Sequence, residues 1–375
     1  MITRHRILHV IDHLGPGGGQ ETLLNLATYA NRRRFRLEVA TLHGFGVYGQ
    51  TLRQQQIPVH VLSFQKYLPL YLPNLMRLLR RRSFDLVHCH LMAANLLAKP
   101  LAALCRVPVI FSHDQCNDAL RRRQPGLLLL DRLANRWSDR IIAVSASTRD
   151  FLIEHEKIAA EKIVVIYNPV DPARFYPGGA ADRQSGRRRL GLAQKVPVVL
   201  GVGRLHQQKN FPGFLRVAAQ LAQHLPQVQF LIAGDGPQRQ RLEILAQQLG
   251  LGGRVHFLGY VKHMRELYLA SDVLFLPSWY EGTPLVVLEA MACGLPVVAS
   301  QVDGAAEILR NGVNGFLAPP EEQEVFCRRL SAVLQDHSLA QTLATQALAT
   351  VRQHFTAPVI TAQVESLYTD CLGSP

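Results

Sequence analysis

Short apolar runs alternate with longer amphipathic stretches almost throughout the chain, in two successive series. In the first series the strand candidates are Ile7–Ile11, Leu37–Leu42, Val59–Leu62, Asp85–His88, Val109–Ser112, Ile141–Ser145 and Ile163–Ile166. Helical patterns fill the gaps, clearest at Glu21–Ala30, Asn74–Arg82, Ala93–Leu104 and Leu127–Trp137. Near-continuous apolar strands separated by helix-length crossovers predict a parallel sheet covered by helices on both faces. Proline, glycine and arginine then gather from Asn168 to Leu190, through Pro169, Pro172, Pro177, Gly178-Gly179 and Arg187–Arg189, which reads as a linker. The rhythm restarts with Val196–Val202, Gln229–Ala233, Val255–Leu258, Val273–Leu276 and Val297–Ala299, separated by helices at about Phe214–His224, Gln238–Leu249 and Leu285–Cys293. After Gly315-Phe316-Leu317 the pattern is helical, with Pro358 separating a last helix, Val359–Leu372. The fold class is therefore α/β: two Rossmann-like, doubly wound parallel-sheet domains at 1–170 and 196–357, joined by a linker at 171–195. A chain of 375 residues exceeds the size at which one core keeps growing. Two such sheets predict a ligand at the carboxyl ends of their strands, in an interdomain cleft.

An apolar content of 48% with 18% charged residues fits a soluble globular chain with sizeable cores. No run approaches the ~20 apolar residues of a membrane span. The opening Met-Ile-Thr-Arg-His-Arg leads into a strand without a small-residue cleavage site, so no signal peptide is expected. Cys89, Cys105, Cys116, Cys293, Cys327 and Cys371 lack Cys-x-x-Cys spacing and read as reduced cytosolic thiols. The net charge of +13 is lopsided: residues 1–150 carry 21 Lys plus Arg against 9 Asp plus Glu. Runs such as Arg32–Arg34, Arg80–Arg82 and Arg121–Arg123 suit an acidic counterpart, either a membrane surface or a phosphorylated acceptor. A solvated arginine-rich face explains them equally well. Nucleic acid ranks last as a partner, because the runs lack interleaved aromatics and any zinc-finger or RNP pattern.

The chemistry concentrates in Pro277–Pro296. A buried strand is followed by a Gly282-Thr283-Pro284 turn that opens a helix apolar on nearly every side. Thr283 is the expected N-cap and Pro284 the first helical residue, where its missing amide costs nothing. The remaining free amides of that turn form an anion site. Glu281 and Glu289 bracket the turn eight positions apart, and Glu289 needs a partner among Val287, Leu288, Ala290 and Met291. A polyhydroxyl ligand with a phosphate group supplies partners for both amides and acids; an ordinary strand-turn-helix unit with an incidental acid is the plainer alternative. Upstream, Gly203-Arg204-Leu205-His206-Gln207-Gln208-Lys209-Asn210 places two cations in a loop at a strand's end. Asp235 in Gly234–Pro237 reads as a turn residue, Val302–Glu307 as a glycine turn with a cap, and His256 as a strand-face residue.

In the first series, Gly15–Glu21 follows the first strand, but Gln20 stands where a dinucleotide loop needs its third glycine. His113 ends a strand and is either a ligand for sugar hydroxyls or a satisfied structural histidine. His88 and His90 lack a third or fourth ligand at suitable spacing, so no metal is expected there.

Taken in order, these motifs make the chain resemble the retaining, GT-B-fold glycosyltransferases of glycosyltransferase family 4, the glycosyl transferases group 1. The resemblance is most specific at Glu281-x7-Glu289 and implies a role for each matching position. Glu289 would bind the ribose hydroxyls of a sugar nucleotide, and Glu281 would lie by the transferred sugar. The amides of Gly282, Thr283, Pro284 and Leu285 (proline contributing backbone shape only) would face sugar and diphosphate. Arg204 and Lys209, after Gly203, would clamp the diphosphate; the Gly18–Gly19 loop would approach it from the other domain, and His113 would be the active-site histidine. Ser145 and Asn168 are candidate cleft-lining groups. A C-terminal helix at 358–375 would pack back onto the first domain. The implied activity is transfer of a sugar from a nucleotide-diphosphate sugar to a glycan or lipid-diphosphate-linked acceptor, in cell-surface polysaccharide or glycolipid synthesis. Neither cofactor nor metal is implied, and the location would be cytoplasmic, peripheral at the inner face of the cell membrane. A non-catalytic sugar-nucleotide binder and a nucleotide-sugar epimerase are the rivals.

Overall fold

The computed structural model describes residues 4–64, 71–115 and 124–373; Cys116 and the Arg121–Arg123 run lie outside them. The chain forms two compact units, one of Met1–Pro169 with Ala357–Pro375, the other Val170–Thr356. In the first unit β1 (His5–Ile11), β2 (Phe35–Thr41), β3 (Val59–Val61), β4 (Leu86–His90), β5 (Val109–Asp114), β6 (Arg140–Ala143) and β7 (Ile163–Val165) make one sheet in the order β3-β2-β1-β4-β5-β6-β7. In the second, β8 (Val198–Val202), β9 (Gln229–Ala233), β10 (Val255–Gly259), β11 (Val273–Leu276), β12 (Val297–Ser300) and β13 (Phe316–Ala318) run β10-β9-β8-β11-β12-β13. Every strand pairing is parallel. The doubly wound reading of the sequence is what the chain adopts.

Burial follows from composition. Ile7, Ile11, Val39, Leu86 and Phe111 form the core on one face of the first sheet with Leu23 and Leu26 from the helix Gly18–Tyr29. Leu8, Val10, Val87 and Ile110 take the other face with Ala94, Ala98 and Ala102 from the helix Met92–Leu104. The second unit centres on Phe211, Phe214, Phe230, Phe275 and Phe326. In both sheets the winding direction reverses beside the first strand, between β1 and β4 and between β8 and β11. Adjacent loops leave such a point in opposite directions, so a ligand can enter between them.

The segment 171–195 differs from the linker expected. It contains the helix Ala180–Arg189, and the buried Arg187 fastens that helix to the second sheet. Arg187 Nη2 lies 2.7 Å from Asp272 Oδ2, while Nη1 donates to the carbonyls of Ala193, Gln194 and Val196. The arginine run that suggested a solvated loop thus includes an anchor. At the other end, the helix Ala357–Leu372 carries Pro358 in its first turn and buries Ile360, Val364 and Tyr368 in the core of the first unit. No helix among the described residues is long and apolar enough to cross a membrane. The described cysteines are free, and burial pushes the Cys89 and Cys293 thiols up to about 12, leaving them inert.

Candidate functional site

The candidate residues of the second unit converge at the β8/β11 reversal. β8 ends at Gly203, whose φ of 152° suits glycine and where a Cβ would press on the aliphatic stem of Lys209 at 3.2 Å. The chain then turns through Arg204 and a short 3-10 turn, Gln207–Lys209. Asn210 adopts left-handed φ 51° and caps the helix Phe211–His224 through Gly213 N. A left-handed cap suits asparagine, so the loop has a fixed exit.

After β11, the segment Pro277–Pro284 lies against that loop. Trp279 N donates to Gln208 O at 2.8 Å, and Gln208 Nε2 donates to Tyr280 O at 3.0 Å. These two bonds bring Lys209 Nζ to 2.6 Å from Glu281 Oε1, with both side chains largely withdrawn from water. Arg204 is exposed, and its guanidinium makes no ion pair among the described residues. From the third side, Gly304 N donates to Glu281 O at 3.3 Å, and any Cβ at Gly304 would overlap Gly282 O.

The helix after the turn spans Leu285–Ala292. Pro284, in extended conformation, is its N-cap, and the cap has no side-chain hydrogen bond. The expected Thr283 cap with Pro284 inside the helix is therefore corrected by one position. The physical reason is that Pro284 O already receives the first helical amide, Val287 N, at 3.0 Å. Thr283 is buried in the turn. Glu289 is 7% exposed, and Tyr268 Oη donates to its Oε2 at 2.5 Å. Tyr268 is the partner that the buried acid required, and it was not foreseen: it comes from a different helix, Met264–Ala270, inside an ordinary apolar stretch. Ser278 Oγ is buried in the same segment without a hydrogen-bond partner.

Neighbouring motifs do structural work. Asp235 accepts from Gly236 N at 2.7 Å and pairs with Arg239. His256 is exposed on β10 and meets Gln229 Oε1 at 2.9 Å.

In the first unit, Gly18 and Gly19 form the start of the helix Gly18–Tyr29 after the loop that follows β1; Gly19 is buried and Gly18 exposed. A Cβ at Gly19 would crowd Leu91 Cδ2 at 2.6 Å. His113 lies near the tip of β5, buried, with both ring nitrogens lacking a hydrogen-bond partner. Burial lowers its pKa to about 4, so the ring is neutral at pH 7. Ser145 instead caps the helix Ala146–Glu154 through Thr148 N, and Asn168 Oδ1 accepts from Thr22 Oγ1 at 2.8 Å.

The His88-x-His90 pair has a third imidazole beside it that sequence spacing does not show. Parallel pairing sets His9 of β1 opposite His88 of β4, and His90 opposite His113 of β5. One ring nitrogen from each of His9, His88 and His90 lies within 4.8 Å of the others, the third ring coming from the neighbouring strand, far away in sequence.

Comparison with known proteins agrees with this geometry. Residues 182–350 match the model of the glycosyl transferases group 1, and residues 16–174 that of glycosyltransferase family 4. An Escherichia coli UDP-Gal:alpha-D-GlcNAc-diphosphoundecaprenol alpha-1,3-galactosyltransferase is 30% identical over 71% of this chain and 70% of its own. A glycosyltransferase of Methanocaldococcus jannaschii is 28% identical over 88% of this chain and 86% of its own. The crystal structure of Anabaena HepE in complex with UDP-glucose superposes with a TM-score of 0.86 at 29% identity, covering 97% of this chain and 99% of that one. The chain belongs to glycosyltransferase family 4, the group 1 glycosyl transferases, and has their GT-B fold of two Rossmann-like domains.

Proposed function

We propose that the protein transfers a hexosyl residue from a nucleoside-diphosphate sugar to a glycan or lipid-diphosphate-linked acceptor, with retention at the anomeric carbon. The observation that carries this reading is the joining of Lys209, Glu281 and the Gly282–Leu285 turn at the β8/β11 reversal, with Glu289 held ready on the following helix. That HepE and the E. coli relative are named with UDP-linked sugars supports a nucleotide sugar as donor.

In this reading Glu289, oriented by the Tyr268 hydroxyl, accepts from the ribose hydroxyls. Arg204 and Lys209 stabilise the diphosphate as the glycosidic oxygen departs and gains charge. Lys209 then trades part of its contact with Glu281 for phosphate oxygen. Glu281 orients the sugar. The departing phosphate oxygen takes the acceptor's proton, so no separate general base and no metal ion is called on at the donor.

The acceptor is assigned to the first unit, where the basic excess lies. A groove of about 610 Å³ there is lined by Arg4, Arg6, Arg32 and Arg36 with Phe35 and Leu37, which suits an anionic, partly apolar surface. Such a surface would be the inner face of the cell membrane, consistent with cell-surface polysaccharide or glycolipid synthesis. Flotation with liposomes should rise with anionic lipid content and fall with salt.

The direct test is release of nucleoside diphosphate from a panel of sugar nucleotides, with the anomer of any product read by NMR. Lys209→Ala should lower turnover at saturating donor about 100-fold, or ~3 kcal/mol of transition-state stabilisation. Wild-type turnover in that variant would falsify the clamp. Binding of a sugar nucleotide with no release under any condition would favour the non-catalytic binder, and an epimerised sugar nucleotide would favour the epimerase.

A further inference from the structure

His9, His88 and His90 on the first sheet are not used by the donor chemistry. His9, His88, His90 and His113 share one face of β1, β4 and β5, and all are essentially without solvent exposure. The rings of His88 and His90 lie 4.2 Å apart, centroid to centroid, and His9 is 5.2 Å from each. His9 Nδ1 stands 2.9 Å from His90 Nε2. His88 Nε2 and His90 Nδ1 are buried with no hydrogen-bond partner. Each such nitrogen withdrawn from water is destabilising unless something meets it.

We propose that His9, His88 and His90 bind one divalent transition-metal ion within the first unit, of the class that favours imidazole, zinc foremost. The donor atoms lie within 4.8 Å of one another, a span that modest side-chain adjustment closes around one ion. An all-nitrogen set suits zinc, nickel or copper and not magnesium or calcium, which require oxygen. The site also has the outer partner that metal-bound histidines usually have. His88 Nδ1 faces Tyr368 Oη at 2.5 Å, which fixes the ring and leaves Nε2 for the ion. Tyr368 belongs to the C-terminal helix, so an ion at His88 would tie that helix to β1 and β4 as well. The fourth position falls to water. The role is structural, and no step of transfer passes through it.

The other buried cluster, Asp114, Asp131 and Glu156, is a weaker candidate because an ammonium already serves it. Lys99 Nζ lies 4.0 Å from Asp131 Oδ1 and 2.5 Å from Asn135 Oδ1, and Asn135 donates to Glu156.

The test is metal content of the full chain, purified without a polyhistidine tag, together with cobalt titration of chelator-treated protein. About one equivalent of zinc, and the visible absorption of tetrahedral cobalt on titration, are expected. H9Q and H88Q should each weaken cobalt binding at least tenfold. Should a variant fail to fold, the wild-type cobalt spectrum and a zinc-dependent rise in its melting temperature still decide. Substoichiometric metal with no cobalt spectrum, or binding unchanged in both variants, would overturn the assignment. Sugar-nucleotide binding, followed in the same samples, should be indifferent to chelation, so the two readings fail separately.

Discussion

At Lys209 and Glu281 a cation and an anion meet at 2.6 Å, in a site where neither is well hydrated. A half-buried pair of this kind adds little net stability, because desolvation offsets most of the attraction. On the proposed reading its use is positional: each charge is held for a diphosphate and a sugar. Tyr268 does the same for Glu289. The hydroxyl at 2.5 Å orients the carboxylate, so Tyr268→Phe should raise the donor KM about tenfold, ~1.4 kcal/mol, with kcat little changed. A steady-state comparison with Glu289→Gln checks this, and unchanged KM in Tyr268→Phe would show that Glu289 needs no such support. That an acid among Val287, Leu288, Ala290 and Met291 wants a partner is legible in the sequence. The identity of the partner is not, because a tyrosine within Leu267-Tyr268-Leu269 carries no local sign of pointing at a carboxylate. His9 has the same character: only strand pairing places it beside His88 and His90.

Among the elements, apolar runs proved a good guide to strands, because a parallel sheet buried on both faces leaves no alternation to confuse them. The exception is β13, Phe316–Ala318, which follows a glycine and is not among the strands expected from the sequence. The helix Ala180–Arg189 was hidden for another reason. Its composition is polar, and its attachment depends on the guanidinium groups of Arg183 and Arg187, which clasp Asp272 and backbone carbonyls, rather than on an apolar stripe. The turn Gly282–Pro284 was recognised, yet its support by Gly304 depends on a close backbone approach between segments that sequence spacing does not reveal. Gly304→Ala should force the two backbones apart, since the new Cβ would overlap Gly282 O. The expected result is a lower melting temperature together with loss of donor affinity; a variant with both properties intact would show that the turn relaxes freely.

For the molecule as a whole, charge is arranged differently in structure and in composition. Several of the basic groups of residues 1–150 gather around one carboxylate, Glu38, which is buried. Arg82 Nη1 lies 2.6 Å and His60 Nε2 2.8 Å from Glu38 Oε2, with Arg6 at 3.6 Å and Arg36 at 4.0 Å from Oε1. Burial pushes the carboxyl upward, but the hydrogen bonds and charges of His60 and Arg82 outweigh it and hold the pKa below its ordinary value. The native state therefore favours the ionised form. The resulting stabilisation is present above the ordinary carboxylate pKa and is lost as pH falls through the lower native value. Glu38→Gln should cost about 1–3 kcal/mol at pH 7 and less at pH 3. Melting curves at the two pH values test this, and an equal loss at both would remove the charge from the explanation. The two-unit architecture itself was legible because strand-helix alternation is interrupted once and then resumes.

The central claim is that the β8/β11 turn of the second unit holds a nucleoside-diphosphate sugar through Arg204, Lys209 and Glu289. The most direct measurement is calorimetric titration of the wild type with sugar nucleotides of each common base, repeated with Arg204→Ala and Glu289→Gln. At least one sugar nucleotide should bind stoichiometrically, with affinity falling tenfold or more in both variants. No binding by any of them, or binding that both variants leave unchanged, would contradict it.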